Sequence, residues 1–278
     1  MRARTSREVP PLSGVTLALA GWTVSVESEE PSLEELLLRA FAAFRTCEPA
    51  RAHVRVLRPE APRPAPDVRC LPEPRPVSGG GLRVEGEDYV ADIAPEGRSA
   101  TVTGEGRFPV DTVLKVMLAG ELARRGGLLV HGVAVEHLGR AALWTGPSGA
   151  GKSTLGALWA GAGGTVLTDE LVAVWPEARG WRAAGTPWNV GVPREAALCV
   201  VGTLGWDTAS RWEPVGAGEI ARVLLLNALL SEASAAGRRH LMGAASRLLG
   251  GVETARLVFA RDASAAEVVR ARLEGAKL

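Results

Sequence analysis

The apolar positions of the chain change rhythm several times. In VTLALAGWTVSVES (15–28) apolar and polar residues alternate, predicting two half-buried strands around a turn at Gly21. PSLEELLLRAFAAF (31–44) switches to helical spacing, with Ser32 placed as N-cap and Glu35 three residues on to complete a capping box. AHVRVL (52–57) alternates again as a strand. Residues 58–81 are then so dense in proline and glycine that no regular element is expected there, only a long surface loop or linker. LRVEG, DYVADI and SATVTG, between 82 and 104, read as short antiparallel strands. In residues 109–127, Val110, Val113, Leu114, Met117, Leu118 and Leu122 recur at helical spacing before a glycine pair stops the helix.

The second half is more regular. LLVHGVAVE (128–136) and AALWTG (141–146) predict a hairpin, GKSTLGALWAGAGG (151–164) a helix, and TVLTDELVAVW (165–175) a buried returning strand. ARLVFARD and SAAEVVRARLEG near the end repeat strand then helix, with Ser264 as cap of the last helix. The expectation is an α/β catalytic domain over 109–278, preceded by a smaller α+β domain over 1–108 that carries the proline-rich loop at 58–81. The boundary falls near Phe108.

Composition narrows the function classes. Nearly half of the 278 residues are hydrophobic and the formal net charge is +1, so no whole-chain field recruits nucleic acid or an anionic membrane. The arginine-rich start resembles a secretory signal only superficially, because Ser13, Gly14 and Thr16 break its apolar run, and no stretch reaches the roughly 20 apolar residues of a membrane span. Cys47, Cys70 and Cys199 are odd in number and widely spread, a usage that fits a reducing cytoplasm. Of the 32 basic residues only Lys115, Lys152 and Lys277 are lysines. A chain that otherwise chooses arginine has kept a lysine at 152 for something a planar guanidinium does less well.

Lys152 lies in GPSGAGKST. Gly146, Gly151, Lys152 and Ser153 satisfy G-x-x-x-x-G-K-[ST], with an apolar strand before and a helix after. Through Gly146, Pro147, Ser148, Gly149, Ala150, Gly151, Lys152, Ser153 and Thr154, such a loop turns backbone N–H groups onto phosphates at the positive end of a helix. Lys152 adds a point charge for the outer phosphates and the Ser153 hydroxyl a ligand for Mg²⁺. The cofactors expected are ATP and magnesium. Asp169 and Glu170 follow seventeen residues after Lys152. By themselves they fit two chemistries: a metal ligand plus a water-orienting carboxylate, as in a motor ATPase, or a base that takes the proton of an acceptor hydroxyl. No guanine-recognition NKxD and no LSGGQ is present. His131 alone, in an apolar strand, reads more readily as a satisfied core or turn residue than as a functional one. Thr186, Pro187 and Trp188 suit either a cleft wall or a turn capped by a core tryptophan. Arg194 and Arg211 are candidates to clamp phosphate charge.

In order and motif, His131-Gly132, residues 146–153 and Asp169-Glu170 resemble the catalytic domain of the HPr kinase/phosphorylase family, whose fold is related to that of PEP carboxykinase. The glycine-threonine-proline-tryptophan run at 185–188 is similar to one in the compact HPr-kinase-like proteins, some of which serve ribosomal-peptide pathways such as lasso peptide biosynthesis. The likeness covers about residues 128–190 and, by element order, continues to the C-terminus. It implies that Asp169 is the base, that His131 lies against it and tunes it, and that Ser153 and Glu170, with Asp169, hold magnesium. The implied activity is a kinase transferring the γ-phosphate to a hydroxyl, a serine or threonine of a peptide or small protein or else a small molecule, with a homo-oligomer possible. The chain has Glu170 where HPr kinases carry a second aspartate, and WRAAGTPWNVGVPRE stands where they have a glutamate-isoleucine-arginine-glycine segment. The resemblance therefore extends to nucleotide binding and not to HPr as acceptor. The alternative is a P-loop ATPase or nucleotide-gated regulator that phosphorylates nothing.

Overall fold

The computed structural model describes residues 13–61, 64–66 and 71–275. The arginine-rich start before Ser13, part of the proline-rich loop with Cys70, and Lys277 lie outside them. The architecture is mixed α/β with two sheets.

The first sheet has seven strands. β1 (Ser13–Leu19) and β2 (Trp22–Ser28) form the expected hairpin, and α1 (Pro31–Ala40) carries the chain over to β3 (Ala52–Leu57), which pairs parallel to β2. β5 (Leu82–Glu85), β6 (Val90–Ile93) and β7 (Ser99–Thr103) make an antiparallel meander, and β7 returns parallel beside β3. In β3 and β7 buried and exposed residues alternate, so one face is packed and the other wet. Two expectations are corrected. Ser32 is not the N-cap: the helix starts at Pro31, whose fixed φ suits a first helical position, and the Ser32 hydroxyl donates to the Glu30 carboxylate. Glu35, in place of completing a box, pairs with Arg39 one turn on. The proline-rich stretch also holds a regular element, the two-residue edge strand β4 (Arg75–Pro76), which proline tolerates because an edge leaves its missing N–H without consequence.

α2 (Arg107–Arg124) leads out of this sheet and lies between it and the second. Its Val110, Val113, Leu114, Met117, Leu118 and Leu122 are buried in one core with the first sheet, α1, and Leu129, Leu171, Trp175 and Trp188 of the second half. The boundary helix thus shares its core with both sheets.

The second sheet contains β8 (Leu128–His137), β9 (Arg140–Thr145), β10 (Thr165–Thr168), β11 (Leu171–Glu177), β12 (Gly180–Ala184), β13 (Glu195–Trp206), β14 (Arg211–Pro214) and β15 (Glu253–Phe259). The expected returning strand is interrupted: β10 and β11 both run antiparallel to β8, with a register shift between Val166 and Thr168 and a gap at Asp169-Glu170, where Gly132 N–H still reaches the Glu170 carbonyl at 3.0 Å. Pairings β8–β9, β9–β13, β13–β12, β12–β11 and β11–β8 close a five-strand ring. Beyond Leu198, β13 exchanges β12 for β15, to which it runs parallel, as it does to β9. α3 (Lys152–Gly161) and α6 (Ser264–Gly275) pack a core around Trp144, Trp159 and Phe259, while α4 (Ala217–Asn227) and α5 (Ala235–Gly251), neither singled out by the sequence pattern, fill another around Leu224 and Leu248. The α6 cap differs from expectation: the Asp262 carboxylate accepts the Ser264 N–H at 2.9 Å, while the Ser264 hydroxyl donates to Asp262 and accepts from the Ser210 hydroxyl at 2.7 Å. Among the described residues no helix is long and apolar enough to cross a membrane.

Candidate functional site

Three parallel strands, β9, β13 and β15, end near one another: Thr145 lies beside Thr203 of β13, and Trp206 beside Phe259. Loops leaving the carboxyl ends of parallel strands form the usual ligand crevice of α/β sheets. Here a cleft of about 390 Å³ opens there, lined by His131, Ser148, Gly149, Gly151, Lys152, Ser153, Thr154, Asp169, Trp206 and Arg261.

The glycine-rich loop forms its floor. Gly151 sits at φ +105°, and a Cβ there would stand 2.7 Å from Trp206 Cζ2 and 3.0 Å from Phe259 Cζ, so both backbone conformation and space require glycine. α3 begins at the next residue, which puts the first-turn N–H groups at the cleft. The Lys152 side chain is buried and folded back along the loop, its Nζ donating to the carbonyls of Gly146 at 2.8 Å and Pro147 at 3.0 Å. Burial lowers its pKa from the ordinary value; the Asp169 carboxylate pulls the other way without overcoming it.

Asp169 is brought to this floor at the interruption between β10 and β11, three residues after Val166, where β10 shifts register against β8. A Cβ on Gly156 of α3 would lie 3.9 Å from that of Asp169, so the carboxylate stands beside the start of α3. It is fastened from a third segment. Asn189 Nδ2 donates to Asp169 Oδ1 at 2.5 Å, and the Asp169 N–H donates to the Val190 carbonyl at 3.0 Å. Asn189 holds the left-handed conformation, φ 57°, that asparagine tolerates better than most residues. The loop behind it is tight: a Cβ on Gly191 would meet the Thr186 carbonyl oxygen at 1.9 Å. Thr186 is fully buried, with its hydroxyl on the Leu171 carbonyl at 2.5 Å, and Trp188 is buried in the core between the sheets. Of the two readings of residues 186–188, the core one holds. They anchor the loop that presents Asn189 and Val190.

Glu170 turns the other way. Lys115 of α2 donates to its Oε1 at 2.9 Å and lies 5.4 Å from the centroid of the Trp188 ring. One turn earlier, Asp111 accepts from Arg107 at 3.1 Å; burial raises its pKa, opposed by Arg107. His131 opens into the cleft from β8, its carbonyl accepting from Thr145 Oγ1 at 2.8 Å. Such burial as its ring has, then the positive charge of Lys152, holds its pKa below the ordinary histidine value, against the attraction of Glu170 and Asp169.

The candidates therefore divide. His131, Lys152, Ser153 and Asp169 converge on one cleft, and Glu170 stands at its back, engaged by Lys115. Arg194 and Arg211 do not reach the cleft lining. Arg194 contacts Thr165 Oγ1 at 3.2 Å and Glu136 at 3.7 Å, and Arg211 bridges Asp207 and Glu213 at 2.6 and 2.8 Å. The arginine that does line the cleft is Arg261, after β15. Missed by sequence reading were Lys115, Asn189, Trp206 and Arg261. The scarcity of lysine marked Lys115 as well as Lys152, and the ends of β13 and β15 were the places to look for the last two. Asn189 had no local signal.

No family model matches the chain, and no curated protein matches it. Among solved structures the chain is similar to the Hpr(Ser) kinase/phosphatase from Coxiella burnetii, with 10% of residues identical, a TM-score of 0.29, and 51% of this chain and 91% of that chain covered. At that identity and that fit the likeness is a distant one of fold and assigns no family.

Proposed function

We propose that the chain is an ATP- and magnesium-dependent kinase that transfers the γ-phosphate to a hydroxyl, a serine or threonine of a peptide or small protein, in the cytoplasm. The carrying observation is that Asp169 and Lys152 line one cleft although they come from different segments, with Asp169 fastened by Asn189 and Val190. The loop fits a nucleoside triphosphate. Gly151 takes the positive φ of +105° from which α3 starts at the cleft, and Lys152 Nζ rests on two carbonyls, contacts a bound phosphate would replace with stronger charge-assisted ones. Ser153 and Asp169 would hold magnesium, and Glu170 would join them only by releasing Lys115. ATP with its metal supplies the activated phosphoryl group.

The chain's own part is positioning and charge. Lys152 and the loop N–H groups hold and neutralise the phosphates. Asp169, kept in orientation by Asn189, takes the proton of the acceptor hydroxyl, and His131 bears on the charge of that carboxylate from the same cleft. In the ATPase alternative the second carboxylate orients the attacking water; here that carboxylate is held by Lys115, which favours transfer to an acceptor.

Asp169→Asn, whose amide oxygen can still face the metal, should keep nucleotide binding, read by calorimetry, while phosphate transfer to an accepted peptide falls about 10²- to 10⁴-fold, read by mass spectrometry. Transfer near the wild-type rate would remove Asp169 from the role of base.

A further inference from the structure

Trp206 differs from the other tryptophans of the chain. Trp144, Trp159 and Trp188 are fully buried, whereas Trp206, the last residue of β13, is 40% exposed, and its open surface lies in the cleft. Its edge rests on the loop, where Gly151 leaves room for Cζ2. The Phe259 ring packs 4.6 Å from it, tilted by 36°, and the Arg261 guanidinium lies 4.5 Å above the ring. Arg261 makes no ion pair among the described residues. The adjacent carboxylates are engaged elsewhere, Asp262 with Ser264 and Asp207 with Arg211. Apolar indole surface is thus left open in the cleft under a planar cation that makes no ion pair, against the loop at Gly151, at a cost that a ligand with a flat face would relieve.

Strand order says which part of a ligand this is. β9, which delivers the loop, has β8 on one side and β13, then β15, on the other. His131 enters the cleft from β8, and Asp169 from the interrupted strand beyond β8. Trp206 and Arg261 enter from the opposite side. A triphosphate in the loop would therefore present its terminal group toward Asp169 and the rest of the nucleotide toward Trp206.

We infer that Trp206 and Arg261 form the seat of the nucleotide base, which joins the stack of indole and guanidinium. This rests on the nucleotide reading of the loop. Stacking uses the π-face that every base has and reads no hydrogen-bonding edge, so the seat accepts adenine and guanine with similar affinity.

The test compares, on the full chain, Mg·ATP, Mg·GTP and inorganic triphosphate, which has no base. Trp206→Ala should weaken ATP and GTP alike, roughly ten- to a hundredfold, and leave triphosphate affinity unchanged. Trp206→Phe, which keeps a ring against Phe259, should retain most of the affinity and guards against a folding defect. Arg261→Lys should weaken the nucleotides but not triphosphate, since it keeps the charge and loses the plane. Equal losses for ATP and triphosphate in the Trp206 and Arg261 variants would overturn the base seat and make these side chains phosphate contacts. A wild-type preference for ATP over GTP of a hundredfold or more would overturn recognition by stacking. Failure of the wild-type chain to bind triphosphate or ATP would instead overturn the nucleotide reading beneath it.

Discussion

The two sheets use similar strands to different ends. In the first, parallel pairing is confined to β2, β3 and β7, β5–β7 return through short turns, and charges such as Arg83–Asp92 and Arg55–Glu29 pair on its exposed surface. In the second, β9, β13 and β15 lie parallel and their outgoing loops meet in one cleft, across from the break between β10 and β11. Each sheet holds three adjacent parallel strands, so parallel pairing alone does not make a site; in the second their outgoing loops also face the side chains that β8 and the strand break supply. Only the second arrangement brings a buried lysine, a carboxylate, a histidine and an exposed tryptophan to one place.

That difference can be broken by emptying each core in turn. Phe41→Ala in the core of the first sheet and Trp144→Ala, next to Thr145 at the end of β9, should each cost about 3–5 kcal/mol in chemical denaturation. The Phe41 variant should keep the nucleotide affinity of its folded fraction. The Trp144 variant should lose affinity as well, because its cavity opens beneath the glycine-rich loop. Equal affinities in both would mean that the cleft does not depend on its own sheet.

A smaller effect tests the join. Lys115 and Glu170 link α2 to the strand break, with 18% and 33% of their side chains exposed. A double-mutant cycle of Lys115→Met and Glu170→Gln, followed by thermal unfolding, should give a coupling of about 1 kcal/mol, since the pair is only partly withdrawn from water. In the same proteins Lys115→Met should strengthen magnesium-dependent nucleotide binding by freeing Glu170. No change in that binding would leave Glu170 a purely structural partner of α2.

The smallest effect is in pH. His131 is held below its ordinary value of 6.5, so the unfolded chain binds a proton more readily than the folded one. Its contribution to stability is complete above about pH 6.5 and is lost as pH falls below it. Without nucleotide, stability should decline shallowly with falling pH in that window, and His131→Asn should flatten the decline. The slope is small because the ring opens to solvent.

What was legible in the sequence depended on contiguity. The glycine-rich loop, the β8–β9 hairpin and the meander from Leu82 to Thr103 announce themselves through neighbouring residues, and the structure has them. α4 and α5 carry no strong local signal, because their apolar residues answer to the strands against which they pack. Arg194 and Arg211 were drawn toward the cleft by residue type alone, in a chain where arginine is nearly the whole basic complement. Each has a carboxylate partner on the surface. Trp188 could be placed in core or cleft from sequence, and burial decided it.

The sequence by itself determined the glycine-rich spacing of the loop and much of the alternation of elements, because both depend on residues within one turn or one strand of each other. It showed, too, that lysine is scarce, which singled out Lys152. Only the tertiary structure decided that Glu170 faces Lys115, that Asn189 fastens Asp169, and that Trp206 and Arg261 stand on the far side of the loop. Those relations join segments tens of residues apart. They exist only once the strands have taken their order, since no local propensity encodes which strand ends will be neighbours.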